Sequence, residues 1–158
     1  MPRKCRLYEF AAEYDSKRIT LGNLSMAGHT GDCDRCREFV ARERKRVVDD
    51  IESWEGIEKL EWAKHRDYER IKKEGFRNDR NLMRRLDRFV GTAFVILDMA
   101  ANSVGGDFGG SDDRFRDALN HTIGLGRQEY LKALENPRGV LGKRIRNLDY
   151  TESFSYCF

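Results

Sequence analysis

The chain has 158 residues, 39% of them apolar and 36% charged, enough for one domain with its own core. Thirty basic and 27 acidic side chains leave a net charge of +3, too balanced to announce a nucleic-acid partner on its own. High charge with only two prolines, Pro2 and Pro137, favours long solvated helices over a strand-rich fold.

The charge is unevenly spread. Residues 1–48 carry 11 basic and 7 acidic side chains, residues 49–76 carry 6 and 9, residues 77–148 carry 13 and 9, and the last ten carry none and 2. Two basic blocks therefore flank an acidic one, which suits protein contacts at least as well as phosphate contacts. No apolar run follows the basic start, so no secretory signal is read. The longest nearly uncharged apolar stretch, residues 89–101, is too short to span a bilayer. Four cysteines (Cys5, Cys33, Cys36, Cys157) make no dense disulfide framework, and the expected location is a reducing, cytoplasmic one.

Residues 5–31 hold two short β-prone runs, 5–10 and 18–21, around a turn at 15–17, which predict a small hairpin or irregular loop. Next comes the densest cluster of metal-capable side chains, His29-Thr-Gly-Asp-Cys33-Asp-Arg-Cys36. Cys-x2-Cys at a helix start is a usual zinc half-site. His29 on a glycine-flanked loop and Cys5 from the first β-prone run would complete a Cys5–His29–Cys33–Cys36 tetrahedron. A lone pair with no second Cys-x2-Cys fits two ordinary thiols as well. A redox pair of the thioredoxin type would need a βαβ context that the sequence lacks.

Residues 32–74 read as helix, with Asp32 a cap, Val40, Val47 and Trp54 recurring every seven residues, and a break or bend at Gly56. Asn78 or Asp79 caps the next helix, which runs to about Asn102 and becomes apolar all round after Phe89, as a central core helix would. The loop at 105–111 lacks the Gly-Lys-Ser/Thr ending of a phosphate-binding loop and reads as a connector. Ser111 or Asp112 caps a further helix, weakened at Gly124 and Gly126 and ended by Pro137; residues 139–148 form one more short basic helix.

Arg77, Arg80, Arg84 and Arg88 fall at i, i+3, i+7 and i+11, on one helix face. Such a stripe either tracks phosphates or is a solvated face paired with neighbouring carboxylates. Trp54, Trp62 and Tyr68 at helical spacing read as core packing rather than a base-stacking platform. His65, Asp98 and His121 show no positioned partner or cleft, so no catalytic role is assigned. The tail ends in Phe154, Tyr156, Cys157 and Phe158. Its aromatic side chains either plug their own core or dock into a partner.

The expected fold is mainly α, about four helices in a bundle-like arrangement behind a small β-containing, zinc-stabilised N-terminal segment. The expected division is an N-terminal hairpin and zinc module over 1–36, a helical domain over 37–148 and an aromatic tail over 149–158. The expected function is non-enzymatic: a helical adaptor or assembly protein acting on a protein partner or through self-association, with Phe154, Tyr156 and Phe158 as partner-binding residues. The alternative is a zinc-stabilised nucleic-acid-binding regulator that contacts phosphates through its arginine face. No membrane partner is expected.

Overall fold

The computed structural model describes residues 34–77, 79–105, 108–147 and 154–158, with the side chains at 35 and 36 outside that description. The described residues are mainly α-helical and contain no strand. The predicted hairpin falls outside them.

The stretch that periodicity reads as one helix with a break at Gly56 is four segments: α1 (Asp34–Asp49), α2 (Ile51–Glu58), α3 (Trp62–His65) and α4 (Tyr68–Gly75). The first break comes at Asp50, whose carboxylate accepts from the Ser53 amide at 3.0 Å and the Ser53 hydroxyl at 2.7 Å and so starts a new helix. Gly56 lies inside α2 without breaking it. It is small because a Cβ there would stand 3.1 Å from Leu86 Cδ2. The next two breaks are left-handed residues, Glu61 at φ 51° and Arg66 at φ 46°. Each costs roughly 1–2 kcal/mol for an L-residue, and between them they turn Trp62 fully inward. Asp67 then caps α4 by accepting from the Arg70 amide at 3.1 Å.

The central helix forms as its pattern predicts. Helix α5 (Arg80–Ser103) starts at Asp79, which accepts from the Leu82 amide at 2.8 Å, and buries Leu86, Phe89, Val90, Ala93, Ile96, Leu97 and Ala101. It contacts α1, α2 and three later helices. These are α6 (Asp112–Gly124), capped by Ser111, then α7 (Arg127–Glu135) and α8 (Pro137–Asn147). Pro137 both ends α7 and opens α8, where its missing N–H is harmless. The eight helical segments among the described residues exceed the expected four chiefly because side-chain caps and left-handed residues cut a pattern that hydrophobic spacing alone runs together.

A short 3-10 turn, Phe154–Cys157, sits on α4 and α6. Phe154 is fully buried, its ring 5.3 Å from that of Trp62, while Phe158 packs 5.6 Å from Phe76. Of the two roles read for the tail, Phe154 takes the plug. Tyr156 stays 58% exposed, edge-on to Tyr68 at 5.6 Å.

Gly124 is where this plug meets the core. A Cβ on it would stand 2.6 Å from Trp62 Cδ1 and 2.9 Å from the Phe154 ring, both rings being enclosed. Gly124→Ala is expected to destabilise the fold by about 1–3 kcal/mol, the usual range for overpacking, measured as a lower urea midpoint at unchanged slope.

Candidate functional site

A groove of about 480 Å³ opens where α1, α2 and α5 meet. Its lining follows from the breaks described above. Ending α1 at Asp49 places Arg46 and Val47 in the last turn, and restarting at Asp50 places Asp50 and Ser53 at the opening of α2. The opposite wall is one side of α5: Asn81, Arg84, Arg85, Arg88, Phe89 and Thr92. Val47 and Phe89 are buried and give an apolar floor.

The four arginines are not equivalent. Arg85 donates to Glu52 Oε1 at 2.6 Å, approaches Asp50 Oδ1 at 3.6 Å, and reaches Ser53 Oγ at 3.4 Å. Its hydrogen bond and charge hold the Glu52 carboxyl below the usual carboxylate range. Arg46 pairs with Glu43 at 2.7 Å. Arg84 and Arg88 are exposed, and neither guanidinium has an ion pair or hydrogen bond among the described residues. Two uncompensated positive charges, one helical turn or about 6 Å apart along the axis, therefore stand at one concavity.

The sequence-level stripe is partly assembled here. Arg80, Arg84 and Arg88 lie on α5, and Arg84 and Arg88 line the groove. Arg77 is exposed but precedes the Asp79 cap, so it does not extend the helix face. Arg46 and Arg85 complete the lining although the stripe omits them. Arg85 belongs to the same basic run, but no spacing rule brings Arg46 across from α1.

The zinc candidates are not brought into view. Cys5, His29 and Cys33 lie outside the described residues, as does the Cys36 side chain. Among the described residues, no group of three His, Cys, Asp or Glu side chains is placed to hold a metal ion. Cys157 is a core thiol, fully buried, and burial foremost pushes it up to about 12.

The remaining titratable groups serve packing. His121 Nδ1 accepts from Trp62 Nε1 at 2.9 Å, which puts the proton of the neutral ring on Nε2. Burial foremost, then the Arg144 and Arg66 charges, lower its pKa to about 4. Trp54 and Trp62 are both enclosed, so neither offers a face to a base. Asp98 is half-buried on α5, and burial raises its carboxyl despite a hydrogen bond with Asn102 and the Arg116 charge. No helix among the described residues is long and apolar enough to cross a membrane.

No family model, curated protein or solved structure matches this chain.

Proposed function

We propose that the chain is a non-enzymatic helical adaptor whose groove between α1, α2 and α5 receives an acidic segment of a partner protein. The observation that carries this is the pair Arg84 and Arg88, charged, exposed and without carboxylate partners beside an apolar floor of Val47 and Phe89. Basic clusters that lack internal partners present charge to an external one, and the floor offers the partner's aliphatic groups a place to dry. His121 acts as a fixed acceptor for Trp62 rather than as a base open to substrate. Tyr156 offers a second exposed contact.

The nucleic-acid reading draws on a different feature. Arg80, Arg84 and Arg88 are exposed along about 12 Å of α5, a row that suits successive phosphates. The two readings separate by titration of a labelled decaglutamate peptide and a short duplex DNA. An acidic-segment adaptor binds decaglutamate, and the double variant R84Q/R88Q weakens it by about tenfold, or 1.4 kcal/mol. Three phosphate contacts would instead give duplex binding with a log–log salt slope near about −3. Failure of decaglutamate and of every other acidic or phosphorylated peptide to bind at low salt would overturn the adaptor reading.

A further inference from the structure

The groove's charge and shape specify its ligand further, on the premise that the groove is the binding site. We infer that the group seated between Arg84 and Arg88 is a phosphoryl group carried on a phosphorylated side chain of the partner protein.

The first ground is charge. The carboxylates of α1 and α2 near the groove are committed: Asp50 and Glu52 to Arg85, Asp50 also to the Ser53 amide and hydroxyl, and Glu43 to Arg46, while Asp87 on α5 is exposed, is not part of the groove lining and makes no ion pair with either arginine. What remains without an ion pair on the groove wall is the charge of Arg84 and Arg88, two guanidinium groups with five N–H donors each. A single carboxylate answers one of them. A phosphoryl monoester carries about −1.5 to −2 charge near neutral pH and three strong acceptor oxygens, so one group answers both.

The second ground is geometry. Arg84 and Arg88 lie on successive turns of one rigid helix, with Arg85 already fixed between them in sequence by Glu52. The guanidinium fork matches the edges of a tetrahedral oxyanion, and two forks one turn apart can grip different oxygens of the same group. Asn81, one turn before Arg85 on the same wall, adds an amide donor.

The third ground is size. A volume of about 480 Å³ is that of a pocket for one discrete group and its flanks. A duplex instead lies along a face and spreads its contacts over many phosphates. No exposed aromatic lines the groove to stack an unpaired base, since Phe89 is buried. Val47, Phe89 and Thr92 suit the aliphatic residues beside a phosphorylated side chain.

The test uses the full chain and fluorescein-labelled alanine pentapeptides whose central residue is phosphoserine, sulfoserine, aspartate or serine. Sulfoserine keeps the tetrahedral shape but carries one charge. The expected result is phosphoserine binding about tenfold tighter than aspartate and several-fold tighter than sulfoserine, with serine silent. R84Q/R88Q should erase that ranking while leaving the thermal melt in place, because both side chains are exposed and unbonded. Inorganic phosphate should compete weakly. If phosphoserine and aspartate bind equally, or decaglutamate binds and phosphoserine does not, the inference falls and the adaptor reading survives. If inorganic phosphate binds as tightly as the phosphopeptide, the protein-borne source is wrong. If no phosphopeptide binds and duplex DNA does with a steep salt slope, both the inference and the adaptor reading fall.

Discussion

Trp54→Ala is expected to cost the fold about 3–5 kcal/mol, the range for truncating a large buried aromatic, and to disable the groove with it. Trp54 is 1% exposed and stands where three helices meet. Its ring lies edge-on to Phe89 of α5 at 4.9 Å and tilted against Tyr130 of α7 at 4.9 Å. Its indole N–H donates to the Val47 carbonyl at 2.8 Å. That carbonyl is one of the last four of α1, which have no partner within their own helix, and Arg127 Nε serves its neighbour Val48 in the same way at 2.8 Å. Truncation thus opens a cavity and leaves a helix end unsatisfied. Val47 and Phe89, the groove's floor, are the residues that would shift into the space. Trp54→Phe separates the contributions. It keeps much of the packing and gives up the hydrogen bond, for about 1–2 kcal/mol. Urea unfolding at neutral pH reads both variants. A loss under about 1 kcal/mol for Trp54→Ala would mean that this junction is not the centre of the core.

The same junction shows what was legible beforehand and what was not. The apolar period that marks Trp54 and Val47 also marks their burial, and the all-round apolar pattern after Phe89 identifies α5 as the central helix. Caps at Asp79 and Ser111 follow from local chemistry. The breaks at Asp50, Glu61 and Arg66 do not. An aspartate caps or decorates a helix according to whether its carboxylate turns to the backbone, and a left-handed glutamate or arginine runs against its own preference. Both are settled by tertiary demands, here the burial of Trp54 and Trp62. Those breaks create the groove, so of its lining only the arginine stripe within 77–88 was legible, and Arg46 stood apart from it among the basic residues of 42–46. That Arg46 and Arg84 share one concavity depends on how α1 crosses α5, which no local spacing encodes. The tail illustrates the same limit. Its aromatic content marked it as needing a surface, but only the Gly124 gap between α6 and Trp62 selects the core as that surface for Phe154.

Lowering the pH from 7 to 5 is expected to remove about 2 kcal/mol of stability through His121 alone, growing to about 3 kcal/mol near pH 4. The ring is neutral when folded because burial and the Arg144 and Arg66 charges all oppose a proton there, lowering its pKa from 6.5 to about 4. In the unfolded chain the ring charges near pH 6.5. Between those values the unfolded state binds more protons than the folded one, so stability falls as pH falls, starting near 6.5 and levelling off below about 4. The folded ring resists because protonating Nδ1 removes the acceptor that Trp62 Nε1 uses, at the point where Phe154 also packs. The window from 6.5 to 5 lies above ordinary carboxylate titration, so acid loss in that range is assigned to histidine. His121→Gln keeps an acceptor within reach of Trp62 and carries no titrating group. Its stability should therefore decline about 2 kcal/mol less than that of the parent between pH 7 and 5. Parallel pH profiles for the two proteins would show that His121 takes up its proton in the folded state as readily as in water, and that the Trp62–His121 contact does not depend on a neutral ring.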